Sequence, residues 1–470
     1  MTFQIDHVKE PLLMFANEGC SYDPRIGLIK YGPRTPSEVK ALDMKIGLIG
    51  SSQAIGEMQN ILKQMRNRIF PKVQKIQKWS IPFPGLNEHS PLKIIINLQK
   101  RWRQIITQPN ITEIIGKSTK EDRIESFLNL IYEKLMLIYG KETPPDVVII
   151  CIPEEIYDRC VSPSSIKEKM RTDYSDFHSR VKLQGIKLKL PTQIIHPYTL
   201  KGHMTQDLAD IAWNLTVGLL YKSQKGHPWK LAELEENTCY AGISFYRVRG
   251  EEGHITEAAM AQVFLDTGES FILRADNVEQ LQGRQQNHLS ELDASNVIKK
   301  ILRQYEENRG GSTPERLVIH KTSNYWEEEK AGMVEAASHI YRLDLVTLHE
   351  NHPIRLFSSC DFPVLRGTLL IPPDRSEYYL YTNGYIPVIG TYPGHRIPRP
   401  IVVKPDVEYC STPIFELCEE ILAFSKLDWN SSHFCKKNPV TIEISRSVGH
   451  ILADSKAQDV EIDPHYYYYM

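Results

Sequence analysis

Apolar runs and amphipathic stretches alternate along the first half of this chain. Met44-Lys45-Ile46-Gly47-Leu48-Ile49-Gly50 reads as a strand, and a helix is expected from about Gln53 to Arg68. A Pro82-Phe83-Pro84-Gly85 turn follows, then a long helix from about Ser118 to Tyr139. Asp146-Val147-Val148-Ile149-Ile150-Cys151-Ile152-Pro153 has no polar alternation, the pattern of a parallel strand buried on both faces. Gln193-Ile194-Ile195 is a further strand. Beyond it, Leu208, Ile211, Ala212, Leu215 and Leu219 fall on one stripe of a helix starting near Thr205, which is expected to pack on the sheet. Strands alternating with helices predict a doubly wound α/β sheet.

A polar segment, Glu233 to Asn237, ends that pattern. The second half opens on consecutive strands, Tyr240–Arg247, Ala258–Leu265 and Ser270–Leu273, in hairpin order. A helix over 294–308, a strand at Arg316–Thr322, and helices over 410–426 and 440–453 complete it. The first forty residues, rich in turn formers, read as an extended lead-in. Three segments are expected: a lead-in at 1–40, an α/β domain at 41–235 and a second α/β domain at 236–470.

Composition narrows the function. No run approaches the roughly 18 apolar residues of a membrane span, and Met1–His7 has no signal-peptide pattern, so a cytoplasmic protein without membrane contact is expected. Eight cysteines without a CxxC pair read as reduced packing residues. A net charge of −2 excludes binding of nucleic acid through bulk charge, so any such site is local or completed by a partner. Local basic density exists at Lys182, Lys187 and Lys189, and at His395, Arg396 and Arg399 between prolines; a solvated face is the simple reading of each. The Asp266 turn and the Glu327–Glu329 run are likewise ordinary.

Gly47–Ser52 matches neither GxGxxG nor a Walker loop and reads as a tight strand-to-helix turn. A stronger constellation joins His178 and Lys182, four apart on a helix, with Gln193 at the next strand and Asn214, Gly218 and Lys222 along one side of the next helix. Lysines supply charge, ring and amide groups supply direction, and a small residue admits the backbone of a bound phosphate.

These positions resemble the guide-phosphate pocket of the Argonaute Mid domain. The strands carrying Ser244 and Thr322 resemble the active-site strands of its Piwi domain. Trp213–Lys222, Pro228–Leu231, Leu427–Asn430, Pro439–Ile442 and the opening residues extend the likeness to short prokaryotic Argonautes, across nearly the whole chain. The resemblance implies a Rossmann-like Mid domain followed by an RNase H-like Piwi domain, without room for the N-terminal and Paz domains. It also implies that Ser244 and Thr322 stand where nucleases of the family carry aspartates. Two metal ions need such carboxylates, so no catalysis is expected in this chain; His320 is expected to be structural, and nothing in the spacing of Asp344 and Asp361 rebuilds the site. A 5′-phosphorylated guide, RNA by expectation, would be held by His178, Lys182, Gln193, Asn214 and Lys222. The Met470 carboxylate would approach the phosphate through Mg2+. A single-stranded DNA target would then activate an Apaz-domain effector, sirtuin-like, TIR or nuclease, in defence against plasmid and phage, with NAD depletion the expected readout. Two other readings are a metal-dependent guided nuclease with displaced carboxylates and a nucleotide-binding α/β protein.

Overall fold

The computed structural model describes residues 3–34, 41–72, 80–161, 167–201, 207–249, 255–265, 268–278, 288–350, 352–392, 394, 396–443, 448, 451–452 and 463–470. Asp266, His395 and half of the expected helix over 440–453 lie outside them. The lead-in is not simply extended: it holds β1 (Gln4–His7), β2 (Leu13–Met14), β3 (Cys20–Ser21) and the helix α1 (Pro24–Tyr31). The Asp23 side chain accepts from the N–H groups of Arg25 and Ile26, and Pro24 occupies the first turn. The turn formers were helix-start residues.

The first domain runs β4 (Leu42–Gly50), α2 (Ser52–Gln64), β5 (Ile94–Ile105), α3 (Gln108–Ile115), α4 (Lys120–Tyr139), β6 (Val147–Cys151), α5 (Glu154–Cys160), α6 (Lys167–Ile186), β7 (Thr192–Ile195), α7 (Pro197–Leu200) and α8 (Leu208–Gln224). Its four strands are all parallel, in the order β5-β4-β6-β7. Alternate residues feed two cores. Ile46, Leu48, Val147 and Ile149 join the core of α2 and α8, and Ile49, Val148 and Ile150 join that of α3 and α4. β5 and α3 are absent from the sequence reading. Residues 97–101 along β5 are half-buried or exposed, which breaks the apolar signal. Thr107 and Asn110 nevertheless form a capping box at α3, a signal visible in the sequence.

After β8 (Lys230–Leu231) the second domain follows: β9 (Thr238–Arg249), β10 (Ile255–Leu265), β11 (Ser270–Val278), α9 (Glu291–Asn308), β12 (Arg316–Lys321), α10 (Glu327–Ala336), β13 (Arg342–His349), β14 (Thr368–Ile371), β15 (Tyr378–Leu380), β16 (Ile401–Pro405) and α11 (Ile414–Phe424). They form one nine-stranded sheet, β1-β14-β15-β16-β13-β12-β9-β10-β11, with β12 parallel to both β9 and β13. Cys239, Ala241 and Ile243 face α9, while Tyr240 turns to the other side against Phe424 of α11. No helix among the described residues is long and apolar enough to cross a membrane.

The domains interlock through aromatic residues. Trp229 Nε1 donates to the Lys426 carbonyl (3.2 Å) and Trp429 Nε1 to the Trp229 carbonyl (3.1 Å). α8 is therefore buried on nearly every side from Ala212 to Lys222, rather than along the single stripe expected, because the second domain covers its outer face. The lead-in ties the halves together: β1 pairs with β14, and β2 pairs with β3 and β8. Glu10 clamps two buried cations, accepting from Arg366 Nε (2.8 Å) and Lys426 Nζ (2.9 Å). Burial alone would raise its carboxyl pKa, but Arg366 and Lys426 outweigh that and hold it below the ordinary range. Its contribution to stability is present above the unfolded carboxyl pKa and is lost as pH falls through the lower folded value. Glu10→Ala strands both cations and is expected to cost about 3–5 kcal/mol in urea denaturation at neutral pH; a loss below about 1 kcal/mol would show that the clamp is not needed.

Candidate nucleic-acid binding site

Two lysines lie side by side in the interior with no counter-charge among the described residues. Lys182, from α6, is 1% exposed and Lys222, from α8, is wholly buried. The Lys182 ammonium donates to the Thr192 carbonyl, and that of Lys222 donates to Gln193 Oε1 at the start of β7. The two amino groups also interact with each other, which favours the proton on Lys222 and disfavours it on Lys182. Among the described residues, no carboxylate pairs with either. Three of the five expected pocket residues thus meet directly, and Lys182 belongs to an interior pair rather than a solvated basic face.

The electrostatics follow from this placement. Burial pushes the Lys222 ammonium down to about 7, although the bond to Lys182 opposes the shift. Burial, then the neighbouring Lys222 charge, drives Lys182 well below its ordinary value. One turn before Lys182 on α6, His178 is held down to about 3 by burial and then by both lysines, so its imidazole is neutral. Buried cations normally have partners, because desolvation otherwise costs several kcal/mol per ion. An anion placed here would remove the penalty from both lysines.

The walls come from both domains. Asn214, Gly218 and Lys222 lie four apart along α8. A Cβ placed on Gly218 would sit 3.5 Å from both Gln193 Oε1 and Asn430 Oδ1, so this glycine is the floor between two amides. Asn214 Oδ1 accepts from Ser432 N–H (2.9 Å) and Oγ (3.0 Å), which makes Asn214 a tie between the domains. Ser432 and the amide of Asn430 were not expected at the site. Their segment was visible as a motif, but the approach to α8 is a long-range contact with no local signature. The tail is buried from Tyr466 to Met470, and its Tyr466–Tyr468 turn packs on α6 and α8. Tyr468 Oη donates to the Lys189 carbonyl (3.1 Å).

Ser244 and Thr322 lie elsewhere, on the face of the second sheet that meets α11. β9 and β12 pair Gly242 with His320 and Ile243 with Lys321, so Ser244 and Thr322 are the next positions in that parallel register. Ser244 is 4% exposed, and its Oγ has no hydrogen-bond partner among the described residues. His320 Nδ1 bonds Thr441 Oγ1 (2.9 Å); burial first and then Arg316 hold its ring down to about 3. A Cβ on Gly242 would lie 1.7 Å from the Thr441 carbonyl, so the 439–443 segment is seated directly on β9. Asp344 is engaged by Arg316 Nε (2.7 Å) and Thr412 Oγ1 (2.6 Å), and Asp361 is exposed. Among the described residues, no group of three His, Cys, Asp or Glu side chains is placed to hold a metal ion.

No family model and no curated protein matches the sequence. Solved structures do. Clostridium butyricum Argonaute bound to a guide DNA and a 19-mer target DNA is 16% identical with a TM-score of 0.64, over 96% of this chain and 53% of that one. Drosophila Piwi is 13% identical with a TM-score of 0.61, over 99% and 56%. Argonaute from A. aeolicus is 17% identical with a TM-score of 0.57, over 98% and 55%. The chain spans a little over half the length of these proteins. Its α/β architecture is therefore the Mid–Piwi fold of Argonaute and Piwi proteins along its whole length.

Proposed function

We propose that this chain is a short Argonaute that binds a 5′-phosphorylated guide strand, RNA by preference, and uses it to recognise a single-stranded DNA target. The observation that carries this reading is the uncompensated Lys182–Lys222 pair beside Gln193 and neutral His178. A terminal phosphate is an anion small enough to enter between α6 and α8. It can accept from both lysines and from the Gln193 amide, which is bonded on its oxygen side to Lys222. The structural likeness to guide-bound and target-bound Argonaute supports the choice of a nucleic acid over a free nucleotide.

Mg2+ would be a further member of the site. The tail is buried as far as Met470 and its Tyr466–Tyr468 turn packs on the helices that carry the lysines, and a terminal carboxylate beside a phosphate would need a cation between them. Mg2+ would supply charge neutralisation there.

With Ser244 and Thr322 in place of carboxylates, the reading assigns no nuclease step to this chain. Target recognition passes instead to an Apaz-domain effector, sirtuin-like or TIR by preference, in cytoplasmic defence against plasmid and phage. The net charge of −2 leaves part of the neutralisation of a guide–target duplex to that partner. The test is coexpression with the neighbouring gene product. A 1:1 complex is expected whose toxic activity, read as NAD depletion, appears only with guide and complementary target together. Activity that is independent of guide sequence, or a neighbour that neither copurifies nor responds, would overturn the reading.

A further inference from the structure

A residue of the second domain approaches α8 at Gly218, one turn before Lys222, and the way it is held points to a dedicated contact. The loop after α11 is fixed at three points. Trp429 is wholly buried, with its ring centre 4.0 Å from that of His227 and 5.2 Å from that of Tyr221. Asp428 accepts from the Asn430 N–H (3.0 Å) and Ser431 Oγ (2.7 Å) and pairs with Lys436 (2.9 Å). Ser432 is tied to Asn214 on α8. Between these anchors, Asn430 is exposed, and its Oδ1 stands 3.5 Å from the Cβ position of Gly218, so a half-turn of the amide sets its N–H2 group there. Gln193 Oε1 is at the same distance from that point and receives the Lys222 ammonium.

We infer that Asn430 is a guide-binding residue contributed by the Piwi domain, whose amide N–H2 donates to the 5′-phosphate held by Lys182 and Lys222. This rests on the reading of the pocket as a guide-phosphate site. Three features favour it. The loop holds the backbone of Asn430 in place, so little ordering cost remains for its side chain. Gly218 leaves the space between the two amides open. The asparagine amide adds a directed donor to a pocket whose two ammonium groups already supply charge but little direction. A donor from the second domain also couples phosphate binding to the Asn214–Ser432 tie, so the bound guide end and the domain junction support each other.

The experiment uses the full chain and two RNA oligonucleotides of identical sequence, one 5′-phosphorylated and one 5′-hydroxyl. Asn430→Ala is expected to weaken binding of the phosphorylated strand about tenfold, the lower end for a hydrogen bond to a charged group, and to leave the hydroxyl strand within about twofold. Asn430→Asp, nearly isosteric, is expected to lose more, because it sets a carboxylate against the phosphate. Thermal melting of both variants should match the wild type, since the side chain is exposed. Equal losses on both strands would make Asn430 a general contact, and tighter binding by Asn430→Asp in Mg2+ would make it a cation ligand. Either result overturns the inference, as does unchanged affinity. A wild type without preference for the phosphorylated strand sinks the pocket reading itself. If Lys182→Ala with Lys222→Ala abolishes the preference while the Asn430 variants do not alter it, only the present inference fails.

Discussion

Replacing Lys182 and Lys222 together with alanine is expected to weaken binding of a 5′-phosphorylated guide by about 100- to 10,000-fold while changing that of a 5′-hydroxyl guide far less. Each charge-assisted contact is worth about 1.5–3 kcal/mol, and two of them multiply to that range at about 1.4 kcal/mol per tenfold. Loss of fold does not explain such a result here. In the guide-free protein the two lysines are buried with no carboxylate paired to either among the described residues, so removing them is expected to leave the melting temperature unchanged or raised. The same chemistry sets a pH profile. The free-pocket Lys222 ammonium titrates near 7, and a bound phosphate raises that value. Lys182 is likewise held well below its ordinary value, so each charged contact takes up a proton above pH 7, and affinity falls as pH rises from about 7, by up to tenfold per unit for each proton taken up. Below about pH 6 the phosphate itself loses charge. Isothermal titration between pH 6 and 9, in buffers of different ionisation enthalpy, measures both the affinity and the proton uptake. Equal loss for both guides, or affinity flat across that range, would remove the pocket from the account.

How far the sequence carried depended on whether the signal was local. The buried strand Val147–Cys151 is legible because both faces meet helices, so every position is apolar. The pocket order His178, Lys182, Gln193, Lys222 is legible because helix spacing and strand position fix neighbours along the chain. The long-range partners were not. Glu10 is an ordinary glutamate in the sequence, and only folding places it between Arg366 and Lys426, more than 350 residues away. Asn430 belongs to a visible motif, yet its approach to Gly218 depends on Trp429 being locked against Trp229. Asn214, expected at the phosphate, also holds Ser432 through its Oδ1, a tie between distant segments that the sequence does not signal. β5 was missed for a different reason. Its register against β4 slips between Ile46 and Leu48, where five residues of β5 advance beside two of β4, and such a bulge destroys alternation.

The second large effect concerns cleavage. Loaded with a guide and given a fully complementary target and Mn2+, the chain is expected to leave the target intact, with no product above the metal-only background. A two-metal mechanism needs carboxylates that bridge and orient both ions, and removing them costs the whole of the electrostatic stabilisation of the leaving oxygen. On the proposed reading the carboxylate positions are held by Ser244, whose hydroxyl is buried against the sheet, and Thr322, whose carbonyl accepts from His349 Nδ1 (3.1 Å). The surrounding groups do not replace them. His320 is kept neutral and bonded to Thr441, Asp344 is spent on Arg316 and Thr412, and the Thr441 backbone occupies the space over Gly242. The assay should use a 5′-labelled single-stranded target on a denaturing gel, with the effector's own catalytic residue substituted so that any cut belongs to this chain. Cleavage at one defined phosphodiester that depends on guide sequence would mean that carboxylates outside these positions assemble when the duplex binds, and the chain would then be a guided nuclease rather than a sensor that hands its signal to a partner.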